Sequence, residues 1–159
     1  MLAAAVLVAL GAVTLVWFQP QKLLYDASVD EALPTVAGTA GRTEPVEIAR
    51  GTFLSREHET TGTARVLRLP DGQQILRLEG FETSNGPTLF VYLSQNPAAG
   101  EDAAFDDDYI DLGELKGNLG DQNYVIPAEV DPLGYAGVVI WCERFSAAFG
   151  AADLAATDG

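Results

Sequence analysis

The chain has one cysteine, Cys142, one histidine, His58, and one methionine, Met1. A single cysteine excludes an internal disulfide, a Cys-x-x-Cys redox pair and a multi-cysteine metal site. A blue-copper site takes two histidines and a cysteine, so this chain cannot supply one alone. Haem ligation by two histidines is excluded in the same way, and ligation by histidine and methionine is excluded because Met1 lies on the far side of the apolar run at residues 2–18, which we interpret below as a membrane anchor. We predict no metal site; a haem held by one ligand, His58 or Cys142, is left open.

Positive charge is also scarce, with 9 Lys and Arg against 23 Asp and Glu and a formal net charge of −14. This balance argues against binding to nucleic acid and against attraction to anionic lipid headgroups. Acidic residues concentrate in one Gly/Ala-rich stretch, whose spacing does not match an EF-hand loop, and we interpret that stretch as solvated. Its members are Asp102, Asp106, Asp107, Asp108, Asp111 and Glu114.

Common catalytic and nucleotide-binding motifs are missing. The sequence has no Gly-x-Ser-x-Gly elbow, no Gly-x-Gly-x-x-Gly fingerprint and no P-loop. An ordinary hydrolase or transferase is therefore not indicated, and neither is a phosphate-binding loop.

Residues 2–18 form an apolar run without a charged side chain, closed by Trp17 and Phe18 and followed by Gln19-Pro20. Its length is at the short end of the range for a membrane-spanning helix, and the aromatic pair fits a membrane interface. We predict an uncleaved transmembrane signal anchor. A cleaved signal peptide and a buried core helix are the alternatives; no small-x-small cleavage site follows the run. Charge bias does not settle the orientation, since Lys22 is the only nearby positive charge.

Residues 19–45 are predicted to be a juxtamembrane segment and linker. Apolar positions in residues 21–34 recur at helical spacing up to Pro34, which indicates a short helix. Residues 35–45 are rich in Gly, Thr and Pro, which is typical of a flexible linker.

Residues 46–154 are predicted to be one all-β domain, an antiparallel β-sandwich or partly closed barrel, followed by a loose tail at 155–159. Residues 63–69 and 74–79 flank an Asp-Gly turn and indicate a hairpin, in which Leu67, Leu69, Leu76 and Leu78 are expected to share the core face. Further strands are predicted at 88–93, 109–112, 123–126 and 135–142, the last as a central strand buried on both faces.

The candidate reactive group is Cys142, at the end of that apolar strand. His58, between Glu57 and Glu59, is the one imidazole that could raise its thiolate fraction. Residues 113–124, dense in turn formers and side-chain amides, supply candidate binding residues. They are Lys116, Asn118, Asp121, Gln122, Asn123 and Tyr124, to which Trp141 is added. Trp141 is expected on the opposite sheet face from Cys142.

An ordered set of motifs over roughly residues 46–154 resembles the DM-thirteen domain family. The first half contains Gly51-x-Phe53, His58, Gly62, Ala64, Asp71-Gly72, Leu76-Arg77-Leu78-Glu79-Gly80-Phe81-Glu82, Gly86-Pro87, Leu89 and Val91-Tyr92-Leu93. The second contains Leu112-Gly113-x-Leu115-Lys116-Gly117-Asn118, Gly120-Asp121-Gln122-Asn123-Tyr124-x-Ile126-Pro127, Val138-Val139-Ile140-Trp141-Cys142, Phe145 and Phe149.

The resemblance implies a β-sandwich-like electron-transfer domain of extracellular or membrane-anchored proteins, with the single cysteine, here Cys142, as the redox residue. It therefore implies that the domain lies on the extracytoplasmic side of the cell membrane. Three functions stay open: a redox module that needs a partner thiol in the cell envelope, a non-catalytic protein- or ligand-binding module with Cys142 as core packing, and ligand capture by the 116–124 segment. No particular cofactor is implied.

Overall fold

The computed structural model describes residues 6, 11–13, 26–35 and 44–157. Most of the predicted anchor at 2–18 and most of the predicted linker lie outside these residues. Within the described part of the chain, no helix is long and apolar enough to cross a membrane. Residues 6 and 11–13 are helical, and the described residues from 26 onward are all-β apart from two 3-10 turns at Asp102–Ala104 and Pro132–Gly134.

In the part of the chain that the structure describes, eleven strands form two sheets packed as a sandwich, which confirms the sandwich prediction. The strands are β1 Ser28–Asp30, β2 Val46–Thr52, β3 Leu54–Ser55, β4 Thr60–Arg68, β5 Gln74–Thr83, β6 Leu89–Ser94, β7 Tyr109–Glu114, β8 Leu119–Ile126, β9 Gly137–Cys142, β10 Ala147–Asp153 and β11 Ala155–Ala156. The first sheet has the order β1-β8-β5-β4-β2-β11 and the second β3-β10-β9-β6-β7. All pairings are antiparallel except β1 with β8.

The hairpin of β4 and β5 forms as predicted, around a turn in which Asp71 Oδ1 accepts the Gln73 amide at 2.9 Å. The predicted core face is wrong in part. Val66 pairs with Leu76, whereas Leu67 pairs with Ile75 and therefore lies on the opposite sheet face. Leu67 and Leu69 pack with Ile75 in a separate buried cluster, because both faces of this hairpin are covered.

Strand β9 is the central strand of the second sheet, between β10 and β6, and all six of its residues are buried. Its inner face contributes Val138, Ile140 and Cys142 to the core between the sheets. Its outer face contributes Val139 and Trp141 to a second cluster, which is completed by residues of the segment that follows β6. The prediction of a central strand buried on both faces is confirmed.

Strand β1 replaces the predicted helix of residues 21–34 where that segment is described. Its three residues pair in parallel with Leu119, Gly120 and Asp121 of β8. The approach is so close that a Cβ on Gly120, which has a φ of 97°, would collide with the Val29 carbonyl. Pairing with a sheet edge overrides the local apolar spacing, which could not be told from a helix over so short a segment.

Polar side chains hold β1 in place. Arg77 donates to the Glu31 carbonyl oxygen at 2.9 Å, and Lys116 Nζ donates to both Glu31 carboxylate oxygens at 2.8 and 2.9 Å. The Asn123 amide also donates to Glu31 Oε2 at 2.7 Å. Burial opposes ionisation of Glu31, but these hydrogen bonds and the nearby Lys116 and Arg77 charges outweigh it, so the pKa of Glu31 lies below its ordinary value.

The predicted loose tail is also wrong where it is described. Ala155 and Ala156 form β11, which pairs with Arg50 and Ala49 of β2. The Thr157 hydroxyl donates to the Glu47 carbonyl oxygen at 2.8 Å and fixes the end of that strand. A run of alanine and threonine has little pattern of its own, so this edge pairing leaves no periodic signal.

We expect Glu31→Gln to reduce the free energy of unfolding by about 0.5–1 kcal/mol at pH 7, since water screens this partly exposed ion pair. A carboxyl group whose pKa is lowered in the folded state stabilises the fold at pH values above its unfolded-state pKa, here 4.5. This stabilisation is lost as the pH falls through the folded-state pKa. The difference between wild type and Glu31→Gln, measured by urea unfolding, should therefore shrink progressively as the pH is lowered below 4.5.

Glu57→Gln, in the exposed loop after β3, is the matched control and should leave the free energy of unfolding at pH 7 unchanged. A Glu31→Gln difference that is absent at pH 7, or that persists unchanged in acid, would contradict this account of how β1 is attached.

Candidate functional site: a covered thiol and the adjoining cavity

The Cys142 thiol lies at the carboxyl end of β9, on the inner face of the sheet. The residue is 0% exposed, and its Sγ donates a hydrogen bond to the Pro87 carbonyl oxygen at 3.3 Å. A carbonyl can only accept, so this contact requires the protonated thiol. In the observed conformation the sulfur is therefore neither accessible nor in the thiolate form that reacts.

The sulfur is covered by the loop of residues 84–88, which joins β5 to β6. The loop contributes the Pro87 carbonyl to the thiol, and the Thr88 carbonyl accepts the Glu143 amide at 3.3 Å. Gly86 packs against the ring of Phe149, because a Cβ there would lie 2.8 Å from Phe149 Cζ. One loop thus closes the end of the core at Cys142.

Thr88 has a φ of 57°, in the left-handed region. A β-branched residue is a genuine outlier there, since its Cβ crowds the following carbonyl. Such strain costs of order 1–3 kcal/mol and persists only where the surroundings hold it. The covering loop therefore stores strain at the residue directly beside the strand that carries the thiol.

His58 forms no hydrogen bond with the Cys142 thiol. Its ring lies against Phe149, with 3.8 Å between centroids and 34° between planes, and its amide donates to the Phe149 carbonyl at 3.3 Å. Phe149 therefore contacts both His58 and the covering loop at Gly86. In this conformation the thiol donates to Pro87, and the role of His58 as a thiol partner stays a prediction.

A cavity of about 270 Å³ adjoins the covering loop. Its wall includes Thr88 and Leu89, and Leu89 is the register partner of Cys142 across β6 and β9. Of the predicted binding residues, Lys116 and Asn118 line this cavity. The same short stretch of backbone thus separates the cavity from the sulfur.

The predicted binding segment 116–124 is not one loop, because Leu119 begins β8. Gln122 and Tyr124 point inward: the Gln122 amide group exchanges hydrogen bonds with the Gly117 backbone, and the Tyr124 hydroxyl donates to Gln122 Oε1 at 2.8 Å. Burial raises the pKa of Tyr124. These polar groups are used inside the fold, and their buried positions follow from the period of a strand.

The other predicted binding residues lie in different parts of the fold, and Asn118 also has structural contacts of its own. Asp121 pairs with Arg77, and Asn123 Oδ1 accepts from Arg77 at 3.0 Å, both on the outer face of the first sheet. Asn118 is buried and ties the Ala27 amide to the Thr83 carbonyl at 2.7 and 3.1 Å. Trp141 is buried on the face of β9 opposite Cys142, as strand alternation predicts.

Sequence reasoning missed the covering loop. The dipeptide Gly86-Pro87 marks a turn, and it precedes a strand that pairs directly with the cysteine-bearing one. That signal indicates a loop close to Cys142, but nothing in the sequence shows the left-handed backbone of Thr88.

Among the residues that the structure describes, no group of three or more His, Cys, Asp or Glu side chains could hold a metal ion.

The family comparison agrees with the motifs. A family model described as electron transfer DM13 matches residues 52–154, which include the covering loop, the cavity wall at Lys116 and Asn118, and Cys142. Comparison with curated proteins and with solved structures finds no match. The family resemblance of the motifs is confirmed, and the chain belongs to the DM13 electron-transfer family.

Proposed function

We propose that this chain is an electron-transfer module in which Cys142 is the redox residue and becomes reactive when the loop of residues 84–88 opens. The observation that carries the proposal is that one short loop, strained at Thr88, covers the only sulfur able to form a disulfide. Opening this loop breaks the thiol hydrogen bond, the hydrogen bond from the Glu143 amide to Thr88 and the packing of Gly86 on Phe149, but it relieves backbone strain and costs less than separating the sheets.

The chemistry is thiol–disulfide exchange with a second molecule, because the chain has no other cysteine. After the loop opens, Cys142 loses its proton to water and its thiolate attacks a disulfide of an envelope protein or a small molecule. A bond forms between Sγ and one partner sulfur, the partner disulfide breaks, and the departing thiolate takes up a proton. A second thiol then releases Cys142 by attacking the mixed disulfide.

The second candidate is a non-catalytic binding module of the cell envelope, in which Cys142 only packs the core. Complete burial of the residue within the inter-sheet cluster favours it, since an unreactive cysteine behaves as a small hydrophobe. The two candidates differ in the motion that exposes the sulfur: local opening of the loop, or unfolding of the whole domain.

Thr88→Asn separates these candidates. Asparagine tolerates a left-handed backbone, so it should stabilise the closed loop by about 1 kcal/mol and slow labelling of Cys142 by a small-molecule thiol reagent about fivefold. Labelling is followed by intact mass under native conditions.

Ser146→Asn is the matched control. Ser146 also has a left-handed backbone, with a φ of 47°, but it lies in the turn between β9 and β10 and not in the covering loop. It should raise global stability without slowing the labelling. Equal slowing by both substitutions would mean that the sulfur is exposed only on global unfolding, and would favour the packing role.

We also propose that residues 2–18 anchor the chain in the cell membrane and place the domain on the extracytoplasmic side. The absence of charge over this run supports the anchor, and the implied partner disulfide suits an oxidising compartment. Anchoring would restrict the redox partner to one that reaches the membrane surface.

Deletion of residues 2–20 tests the anchor while leaving β1 intact. The full chain should sediment with membranes, resist an alkaline wash and be digested by protease added outside intact cells, whereas the deletion variant should be soluble. A full-length chain that is recovered in solution would contradict the anchor. A membrane-free product that lacks the first residues by mass would instead identify a cleaved signal peptide.

A further inference from the structure

Two tyrosines stack on the outer face of the second sheet. In the register of β6 and β7, Tyr92 lies opposite Asp111 and Ser94 lies opposite Tyr109, so the two tyrosines are diagonal neighbours. Their ring centroids are 4.1 Å apart, with 20° between the ring planes. Diagonal pairs on one sheet face are within reach of aromatic side chains, and this pair is in contact.

The two rings differ in exposure. Tyr92 is 1% exposed, whereas Tyr109 is 36% exposed at the start of β7. The stack therefore leads from the exposed ring of Tyr109 to the buried side chain of Tyr92. An oxidant that touches Tyr109 is thus one ring away from Tyr92.

The Tyr92 hydroxyl donates to Glu143 Oε1 at 3.1 Å. Burial, followed by the negative charge of Glu143, raises the pKa of Tyr92, so this phenol keeps its proton at neutral pH. Glu143 itself is exposed and directly follows Cys142 at the end of β9. A carboxylate within hydrogen-bond distance can receive a proton from the phenol without diffusion.

Tyr124 provides a comparison within the same fold. It is also buried, but its hydroxyl donates to the neutral amide oxygen of Gln122. An amide is a far weaker base than a carboxylate. Both tyrosines are therefore buried, but of the two, Tyr92 is the one whose hydroxyl donates to a carboxylate.

We propose that Tyr92 is a second redox group of this protein, a one-electron donor to an oxidant that contacts Tyr109, with Glu143 as the proton acceptor. The Tyr92 O–H bond breaks, one electron passes through Tyr109 to the one-electron oxidant, and the proton forms an O–H bond on Glu143. The products are a neutral tyrosyl radical, a protonated Glu143 and an oxidant reduced by one electron.

Because Tyr92 is buried, loss of its electron is coupled to loss of its proton. Removing only an electron from Tyr92 would leave a positive charge in an apolar cluster, and removing only the proton would leave a negative one. Transfer of both leaves the buried ring neutral. The proposal depends on the electron-transfer character of the family. It does not depend on the reactivity of Cys142, which lies on the opposite face of the second sheet from Tyr92.

Flash photolysis of the full chain tests this, with photogenerated tris-bipyridyl ruthenium(III) as the oxidant, a cation attracted to this acidic protein. We expect a long-lived tyrosyl radical in transient absorbance and electron paramagnetic resonance, formed more slowly in deuterated water. Glu143→Gln keeps an acceptor for the hydrogen bond but removes the base, and should slow radical formation about tenfold or more.

Tyr92→Phe should abolish the long-lived radical and Tyr109→Phe should slow its formation, while Tyr124→Phe, the matched buried control, should leave it unchanged. An unchanged radical in Tyr92→Phe, or a wild-type rate in Glu143→Gln, would overturn the proposal. Cys142→Ser should retain the radical; its loss there would assign the electron to the thiol. Circular dichroism of each variant confirms that the fold is intact.

Discussion

Strand β9 is buried on both faces, and the position of every candidate redox group depends on this constraint. A strand covered on both sides sends alternate side chains into two separate apolar clusters, so Cys142 and Trp141 are adjacent in sequence but separated by the sheet. Reagents can reach such a strand only at its ends. The carboxyl end of β9 is where the core is closed by a loop and not by a strand, and that is where the thiol lies.

The first sheet extends beyond the family match. Strand β1 precedes residues 52–154, yet it pairs with β8 and its neighbour Ala27 lines the cavity beside the covering loop. Part of the predicted juxtamembrane segment is therefore integrated into the folded domain. The cavity and the loop therefore lie beside Ala27, where the described chain enters the first sheet.

The sequence predicts those elements whose pattern arises from burial on a regular sheet. The apolar run of β9 and the Asp-Gly hairpin are of this kind, and both were found. The placement of Leu67 on the same sheet face as Leu76 was wrong, because a hairpin covered on both faces loses the alternation that marks its inner side. Strands β1 and β11 are too short to show a period, and they form only because a sheet edge is available.

The candidate site was predictable in part for a related reason. Composition identifies the only cysteine, and strand alternation predicts the sheet face on which its side chain lies. The loop that covers the sulfur, however, is held in place by tertiary contacts. Two contacts join segments that are distant in sequence: the hydrogen bond from Cys142 to Pro87 and the packing of Phe149 on Gly86. The left-handed backbone of Thr88 belongs to the same loop. The tyrosine stack is hidden similarly, since Tyr92, Tyr109 and Glu143 meet only when β6, β7 and β9 assemble.

The central claim is that Cys142 is exposed by a local opening of the loop at residues 84–88. Native-state thiol labelling across a series of sub-denaturing urea concentrations measures the surface exposed in the opening that admits the reagent. The account predicts a labelling free energy that is nearly independent of urea and well below the free energy of global unfolding. A labelling free energy that equals the global value and falls with the same urea dependence would contradict it.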